Sequence, residues 1–448
     1  MKKRAGALFA GAMAFLVWLL CAAVLLGMFY PADPGQPASR SRGAILLLSF
    51  TVVYGLMTRV YGGFEVGRQK SRTIAFSMAL VLLFSDLTAH LFLCVMDYAL
   101  LHQGRFVYEH PLHLAGAYLI QLVLTAGLAW AGNRLFFRVA RPLDCVMIVK
   151  AGGRHEEWDR KVALFRKQYN VRKIIFSRDP DVFRQIDGAD AVFIYDLTEE
   201  ERSRFVEYCF RKQKDLYYSV EPSDALMSGG RQVFFDDTAM IRVPAEKIGG
   251  PAAVLKRAMD ILLSCLGLIV SSPLLLGAAL AIRLEDGGPV LYRQQRATLG
   301  GRAFTIVKLR SMRQDAGEDH TSAAENDPRI TRTGRFLRRY RIDELPQLWN
   351  VVKGDMSLVG PRPEMLENAE RYTRELPQFS YRLRVRAGIT GLAQVYGRYN
   401  TTPRDKLILD LLYIERFSLW LDIRILLRTL LVLLAPGRST EGFPPPEE

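Results

Sequence analysis

Long apolar runs separated by short polar linkers fill the first 140 residues of the chain, and this pattern predicts a bundle of membrane helices. A helix needs about 17 to 25 apolar residues to cross a hydrocarbon layer roughly 30 Å thick. Four segments qualify, namely Ala7–Met28, Gly43–Val60, Ile74–Leu101 and Leu112–Phe136. The first is too long for the apolar part of a signal peptide and no small-residue cleavage site follows it, so we expect it to be retained.

Basic residues predict the orientation of these spans. Lysines and arginines precede the first span, lie between the second and third, and follow the fourth, whereas the opposite loops hold only Arg40, Arg42 and Arg105. Cytoplasmic loops carry the excess of Lys and Arg. The N-terminus and the residues after the fourth span are therefore both predicted to be cytoplasmic.

A fifth apolar segment, Ile261–Ile282, interrupts the later, more polar sequence and contains Ser271-Ser272-Pro273. Its 22 residues would extend about 33 Å as a helix, enough to cross. Basic residues flank it on both sides, however, with Lys256 and Arg257 before it and a series from Arg283 onwards after it. We predict a helix–break–helix that enters and leaves by one face, with the proline as the break and the serines satisfying freed backbone groups. The alternative is a kinked helix that spans.

Residues 144–244 alternate short apolar runs with helical stretches, which predicts a parallel sheet covered by helices. The first turn, VKAGGRHEEW, lacks the GxGxxG pattern that cradles a pyrophosphate. Tyr208 and Lys212 have the YxxxK spacing of short-chain dehydrogenases, but without the glycines we interpret this spacing as coincidence. A regulatory or self-association module is the preferred interpretation.

The net charge of +14 does not indicate a nucleic-acid partner, because the arginines flank apolar segments or lie among acids and prolines. Basic residues beside membrane segments are expected where lipid headgroups are anionic. The five cysteines are scattered without a CxxC pair, so neither a disulfide framework nor a zinc site is predicted.

Candidate chemistry lies after residue 250. The stretch AFTIVKLRSM alternates like a strand, which would place Lys308 and Arg310 on one face, where two cations suit a diphosphate. The stretch VGPRPE holds Arg362 between two prolines, and a fixed guanidinium suits bidentate phosphate binding. A solvated strand face and a plain surface turn are the alternatives for these two motifs.

Two adjacent acids, Asp343 and Glu344, follow an arginine cluster in RRYRIDELPQLWNVVKGD. We expect a helix to begin near Asp343, with its N-terminus favouring the ionised carboxylate. The alternative is that Asp343 merely caps the helix. His320 is the only histidine after His155, so chemistry here would depend on carboxylates, arginines and a divalent cation.

Taken in order, these motifs resemble the monotopic polyprenyl-phosphate phosphoglycosyl transferases, also called bacterial sugar transferases. The resemblance covers about residues 256–429 and includes KRAMDILLS, NDPRITRTGRFLRRYRIDELPQLWNVVKGDMSLVGPRPE and RAGITGLAQVYGR. The preceding spans and the degenerate Rossmann-like region are similar to the large subfamily that initiates capsule, exopolysaccharide and O-antigen synthesis.

This resemblance implies transfer of a sugar-1-phosphate from a UDP-sugar to undecaprenyl phosphate with release of UMP. Asp343 would be the nucleophile that forms a phosphosugar-aspartate intermediate, and Glu344 would help hold Mg²⁺ (or Mn²⁺), with Asp343 as its other protein ligand, or manage protons. The implied phosphate-binding residues are Lys308, Arg310, Arg329 and Arg362. The resemblance also implies that the helix broken at Ser272 and Pro273 is re-entrant and that Lys256 and Arg257 lie at headgroup level.

The implied organisation is a four-helix transmembrane domain, a Rossmann-like non-catalytic domain and a mostly α-helical catalytic domain with a few short strands. Their limits are 1–140, 144–244 and 250–436, with the re-entrant helix at about 258–283 and a disordered tail at 437–448. The expected location is the bacterial inner membrane with a cytoplasmic active site, and the organisation is compatible with a homodimer. The apolar segment FSLWLDIRILLRTLLVLLAP is expected to lie in the headgroup plane.

Three positions depart from the family pattern: Thr298 replaces a glycine, Ala387 a proline and Ala393 a tryptophan. Two other functions remain open at this point. One is a membrane-bound nucleotide-sugar dehydratase or epimerase that uses the middle domain, and the other is a non-enzymatic scaffold for polysaccharide assembly.

Overall fold

The computed structural model describes residues 2–29, 39–100, 110–150, 162–163, 165–244, 248–313, 327, 329–397 and 401–434. The chain divides into two compact units, Met1–Ser219 and Val220–Glu448. The glycine pair of the first turn, His320 and the C-terminal tail all lie outside the described residues.

Four long apolar helices begin the first unit, as the sequence predicts. They are α1 (Lys2–Phe29), α2 (Ser39–Tyr61), α3 (Ser71–Leu100) and α4 (Pro111–Val139). All four are long and apolar enough to cross a membrane. Asn133 of α4 holds the linker between α2 and α3, because it accepts from the Gly67 N–H at 2.8 Å and donates to Ser71 Oγ at 2.9 Å. The four predicted helices are thus confirmed.

The rest of the first unit is an α/β region with one four-stranded parallel sheet of order β2-β1-β3-β4. Its elements are β1 (Leu143–Val149), β2 (Tyr169–Phe176), α5 (Val182–Asp187), β3 (Ala191–Tyr195), α6 (Glu199–Arg211) and β4 (Asp215–Tyr218). The predicted parallel sheet is confirmed. Tyr208 and Lys212 both engage Asp187, at 2.9 and 3.3 Å, which gives them a structural role instead of a catalytic one.

The second unit starts at Val220, earlier than the predicted limit at residue 244. It opens with helix α7 (Pro222–Met227) and an antiparallel hairpin of β5 (Arg231–Phe235) and β6 (Thr238–Arg242). The physical reason for the earlier boundary is that Ala225 of α7 is buried in an apolar cluster with Phe379 and Leu407.

The fifth apolar segment forms one uninterrupted helix, α8 (Gly250–Asp286), of 37 residues. Helical secondary structure continues on both sides of Pro273, so no residue leaves the helix at the predicted break, and the re-entrant course of the segment stays a prediction. Proline lacks the N–H that would bond the Ile269 carbonyl, and the Ser272 hydroxyl donates to that carbonyl instead, at 2.8 Å. This substitute bond explains how the helix continues through Ser272 and Pro273.

Both ends of α8 contact other parts of the second unit, to which the helix itself belongs. Near its start, the Lys256 ammonium is buried against Asp422 and the Val359 carbonyl, at 2.6 and 3.1 Å. At its end, Glu285 accepts from the Arg332 and Thr333 N–H groups, at 2.8 and 3.0 Å. The middle of the helix exposes large apolar side chains, including Leu262, Ile269, Val270, Leu276 and Leu280.

Lys256 and Arg257, the two residues predicted to contact lipid headgroups, both bind groups of the protein itself. The prediction is wrong for Lys256, because its ammonium is enclosed and paired with Asp422. Arg257 donates to the Val351 and Val352 carbonyls, at 2.7 and 2.9 Å, and so binds the C-terminal end of a neighbouring helix. Both cations therefore fasten α8 to the rest of the unit.

Short strands and helices complete this unit, in agreement with the predicted mostly helical domain. The elements are β7 (Leu291–Ala297), β8 (Ala303–Leu309), α9 (Arg332–Arg339), α10 (Gln347–Lys353), β9 (Ser357–Val359), α11 (Leu366–Glu375), β10 (Gly388–Thr390), α12 (Leu392–Tyr396), α13 (Pro403–Glu415) and α14 (Leu419–Leu434). Strands β7 and β8 are antiparallel, and β9 pairs with β10 in parallel. The segment predicted to be interfacial is the helix α14, and its place in the headgroup plane stays a prediction.

Candidate active site

The two adjacent acids lie in a sharp turn between α9 and α10. Arg341 adopts a left-handed conformation, with φ of 53°, and a 3-10 turn follows at Ile342–Glu344. The cap position of α10 is occupied by Pro346, so the alternative interpretation of Asp343 as a helix cap is wrong. The turn instead directs both carboxylates toward a group of cations.

Glu344 is surrounded by three of these cations. Its carboxylate lies 2.6 Å from the Arg362 guanidinium, 3.5 Å from Lys308 Nζ and 3.7 Å from Arg341. Burial opposes the charge, but Arg362, Lys308 and Arg341 together hold the pKa of Glu344 well below its usual range. Glu344 is therefore a fixed negative charge that keeps the cations together.

Asp343 is only 8% exposed, yet within the described part of the chain its carboxylate makes neither a hydrogen bond nor an ion pair. Burial, and then the negative charge of Glu344, raise the pKa of Asp343 to about 6, although Lys308, Arg338 and Arg362 act in the opposite direction. Desolvation therefore outweighs the attraction of these cations, and stabilisation of the ionised form by a helix N-terminus stays a prediction. The carboxylate remains available for a ligand.

Lys308 and Arg362 connect two motifs that are far apart in the sequence. Strand β8 delivers Lys308, whose pKa is lowered by burial and by the neighbouring cations Arg362 and Arg296. The turn after β9 delivers Arg362, which keeps 38% of its side chain exposed. A group of cations in excess over two carboxylates favours an anionic ligand.

The turn that carries Arg362 depends on close backbone packing between β9 and β10. The Gly360 N–H donates to Thr390 O and the Gly388 N–H to Pro361 O, both at 2.8 Å. A Cβ atom on Gly388 would lie 2.1 Å from the Gly360 nitrogen, so a side chain there would separate the strands. These glycines let the turn approach the acids.

Two predicted phosphate ligands pair with acids other than Asp343 and Glu344. Arg310 lies just past the end of β8 and pairs with Asp286 at the end of α8, so it does not share the site of Lys308. Arg329 donates to Asp327, two residues before it, at 2.6 Å. The structure brings together Asp343, Glu344, Lys308 and Arg362, and their phosphate-binding and catalytic roles stay predictions.

Sequence reasoning missed three cations of the site. Arg341 pairs with Glu344, Arg338 lies close enough to act on Asp343, and Arg296 donates to the Pro363 carbonyl at 3.2 Å. The first two stood in the arginine cluster before the acids, which was the available signal. Arg296 stood in a conspicuous Gly-rich stretch with Thr298 and Gly301, but nothing in that stretch indicated that it would reach the Arg362 turn.

Of the two adjacent acids, only Asp343 has a carboxylate that is available to bind a divalent cation. Glu344 does not suit a metal ligand, since its oxygens already face Arg362, Lys308 and Arg341. The described residues contain no group of three metal-binding side chains. Mg²⁺ often binds through one or two carboxylates plus the phosphates of its substrate. Asp343 and a diphosphate therefore fit a substrate-borne Mg²⁺, whereas Glu344 does not.

Two departures from the family pattern are in direct contact. The Thr298 hydroxyl donates to the Asp355 carbonyl at 2.8 Å and accepts from the Ala387 N–H at 3.2 Å, in a buried position. A proline at 387 could not donate this bond, and a glycine at 298 could not accept it. The threonine and the alanine are therefore a compensating pair.

We expect this pair to be energetically coupled. Replacing Thr298 by Gly should lower the free energy of unfolding by about 1–3 kcal/mol, because it leaves the buried Ala387 N–H without a partner. Adding Ala387→Pro should recover part of that loss, since the unpaired donor is then removed. Denaturant unfolding of the four members of this double-mutant cycle, the wild type, the two single mutants and the double mutant, would measure the coupling. Additive losses would contradict it.

The matching protein-family model is that of the bacterial sugar transferases, and it covers residues 251–436. This range contains α8, the two acids and the Arg362 turn. It leaves the four N-terminal helices and the parallel sheet outside the match.

Individual relatives match the same region. A UDP-glucose:undecaprenyl-phosphate glucose-1-phosphate transferase from Caulobacter vibrioides is 47% identical over 190 residues, which cover 41% of this chain and 71% of the relative. A UDP-N-acetylgalactosamine-undecaprenyl-phosphate N-acetylgalactosaminephosphotransferase from Aeromonas hydrophila is 46% identical over 187 residues, 41% of this chain and 44% of the relative. An undecaprenyl-phosphate galactose phosphotransferase from Salmonella typhimurium is 35% identical over 263 residues, 54% of each chain.

The matched region thus spans about half the length of the second and third relatives and most of the first. The resemblance seen in the motifs is confirmed by these matches, and they include the residues that form the cationic cluster around Glu344. The chain belongs to the bacterial sugar transferase family.

Proposed function

We propose that this protein transfers a sugar-1-phosphate from a UDP-sugar to undecaprenyl phosphate and releases UMP, as the initiating membrane step of a bacterial surface polysaccharide. The single observation that carries the proposal is the buried Asp343 carboxylate, which has no hydrogen-bond or ion-pair partner among the described residues and lies beside the Lys308–Glu344–Arg362 cluster. The names of the relatives supply the substrates. The relatives differ in the sugar, so the sugar is the part that an experiment must assign.

The geometry supports a two-step route. An Asp343 oxygen attacks the phosphorus attached to the sugar, the P–O bond to the UMP phosphate breaks, and UMP leaves with that electron pair. An oxygen of undecaprenyl phosphate then attacks the same phosphorus, and the bond to Asp343 breaks. Each step brings two anions together, so cations are needed to neutralise the charge that develops.

Individual side chains have distinct tasks in this route. Arg362 and Lys308 would bind phosphate oxygens, and Glu344 holds these two cations close to Asp343 without occupying the nucleophile. A divalent cation carried by the diphosphate would be held by Asp343 and would add further charge neutralisation. An ionised Asp343 is required for attack, and with a pKa of about 6 most of it is ionised at pH 7.

The test is a UMP-release assay on the purified full-length protein with undecaprenyl phosphate and a panel of UDP-sugars. We expect release with at least one UDP-sugar and a phosphosugar adduct on Asp343 when the lipid acceptor is left out. Release without any adduct would remove the covalent intermediate from the proposal. The absence of release with every sugar would favour a non-enzymatic scaffold.

We also propose that α8 enters and leaves the membrane by its cytoplasmic face, next to the active site, with the bend that this course requires at Pro273, where one backbone hydrogen bond of the helix is missing. Its start is fastened through Lys256 and its end through Glu285 to one compact unit, and an apolar stretch between them is exposed. A unit that lies on one side of a bilayer can hold both ends only when both are on that side. The middle region with the parallel sheet would then be a Rossmann-like, non-catalytic domain in the cytoplasm.

Cysteine accessibility tests this topology. We expect Ala252→Cys and Pro289→Cys, one beyond each fastened end of α8, to react with a membrane-impermeant maleimide in inverted membrane vesicles and not in intact spheroplasts. Native Cys265, which is exposed on the apolar part of α8, serves as the internal control and should be protected by lipid in both preparations. Labelling of one introduced cysteine from the outside would show a spanning helix.

A further inference from the structure

The backbone of the Arg362 turn is held at four successive carbonyls. Pro361 O accepts from Gly388 N–H at 2.8 Å, and Glu364 O accepts from Ala297 N–H at 3.3 Å. The two carbonyls between them, those of Arg362 and Pro363, accept from the side chains of Arg382 and Arg296, at 2.8 and 3.2 Å. A turn fixed at every carbonyl has little freedom to move its side chains.

Arg382 is the more deeply buried of the two arginine donors, with 3% of its side chain exposed. Its Nε donates to Asp410 Oδ2 at 2.9 Å, while Nη2 lies 2.8 Å from that same oxygen and also donates to the Arg362 carbonyl. Asp410 is 1% exposed, and its pKa is raised to about 6 by burial even though Arg382 lowers it. Glu364 lies 3.6 Å from Arg382 on another side.

A buried ion pair adds little net stability compared with apolar residues of the same size, because both groups lose their hydration. The Arg382–Asp410 pair nevertheless lies directly behind the residue whose guanidinium meets Glu344. One planar guanidinium can hold both the Asp410 carboxylate and the Arg362 carbonyl, which a lysine ammonium would have to bind from a single atom.

We propose that Arg382 is a positioning residue for the transfer reaction. It fixes the main chain of Arg362, and thereby the direction of the Arg362 side chain toward Glu344 and the substrate phosphate, while Asp410 holds Arg382 in place. This role rests on the proposed function, because it acts through the phosphate-binding arginine. Displacement of a binding group by about 1 Å can cost a factor of about 100 in rate.

The primary test is Arg382→Lys in the full-length protein, assayed for UMP release over a range of UDP-sugar concentrations. Lysine keeps the positive charge next to Asp410 but loses the fork that also holds the Arg362 carbonyl. We expect kcat/KM to fall between about 10-fold and 100-fold. The matched control is Arg384→Lys, an exposed arginine of the same segment, which should retain the wild-type value.

A double-mutant cycle separates positioning from general stability. In an Arg362→Ala background, Arg382→Lys should cost less than about 2-fold, since the side chain that it positions is gone. A loss of equal size in both backgrounds would overturn the positioning role and leave the proposed function intact. A wild-type protein that releases no UMP would overturn the function itself, and the positioning role with it.

A milder variant covers the case in which Arg382→Lys fails to fold. Asp410→Asn keeps an oxygen that can accept from Arg382 but removes the charge that holds it. We expect a smaller fall in kcat/KM than for Arg382→Lys, and again almost none in the Arg362→Ala background. An equal fall in both backgrounds for this variant would likewise overturn the proposal.

Discussion

Replacement of Asp343 by Asn should abolish UMP release from a UDP-sugar, lowering kcat by at least about 1000-fold. Asparagine has nearly the same shape, but its amide is not a nucleophile toward an anionic phosphorus. The surrounding ion pairs do not involve Asp343, so the contacts between Glu344, Lys308 and Arg362 should persist in the variant. No phosphosugar adduct should form on the protein.

The variant should fold at least as well as the wild type. Burial raises the pKa of Asp343 to about 6, so the folded protein binds a proton at this site more readily than the unfolded chain does. This site therefore lowers stability as the pH rises from about 4 through 6, and a neutral side chain removes that loss at pH 7. A thermal unfolding midpoint equal to or above that of the wild type would support this interpretation.

Asp355→Asn is the matched control for loss of activity. Asp355 is also a buried aspartate of the second unit, but it pairs with Arg302 and Lys353, whose side chains are mostly exposed. We expect little change in UMP release. Normal UMP release by the Asp343→Asn protein would rule out the covalent route. It would favour direct attack of the lipid phosphate on the UDP-sugar.

Only those residues of the site that stand in a short, recognisable motif could be predicted from the local sequence. The adjacent acids and the proline-flanked Arg362 were visible as short patterns, and the structure places them 2.6 Å apart, at Glu344 and Arg362. Which cation meets which acid was not visible. Lys308 and Arg310 are two residues apart, yet the strand ends between them and Arg310 pairs with Asp286.

The protonation behaviour of the dyad could not be predicted from helix position. A helix N-terminus contributes its stabilisation only within the first turn, and α10 begins at Gln347, after Pro346. Burial, which depends on residues from distant parts of the chain, determines the pKa of Asp343 instead. Tertiary desolvation is not encoded in the few residues on either side of an acid.

The fifth apolar segment was also predictable only in part from the sequence. Charge on both flanks predicted that its ends share one side of the membrane, and the structure shows that both ends contact one compact unit. The prediction that a serine satisfies a backbone group freed by Pro273 is confirmed, because the Ser272 hydroxyl donates to the Ile269 carbonyl. That helical secondary structure would continue through Pro273 was not visible in the sequence, because proline ends some helices and only bends others.

The second large expected effect follows replacement of Glu344 by Gln, which removes the negative charge shared by Arg362, Lys308 and Arg341. Repulsion among three uncompensated cations should separate them, so we expect kcat/KM to fall by about 100-fold or more. Glu367→Gln, an exposed glutamate on α11, is the control and should have wild-type activity. Steady-state UMP release would be measured for both variants from pH 4.5 to 8.

The pH profile gives this prediction a signature that misfolding cannot imitate. In the wild type, activity should fall about 10-fold for each pH unit below about 6, since Asp343 must be ionised to attack. The negative charge of Glu344 is one of the two causes that raise the pKa of Asp343, after burial. Without that charge one of the two causes is removed, so the pKa of Asp343 should decrease and the acid limb of the profile should move below pH 6. A variant whose acid limb stays near pH 6 would show that the charge of Glu344 does not act on the nucleophile.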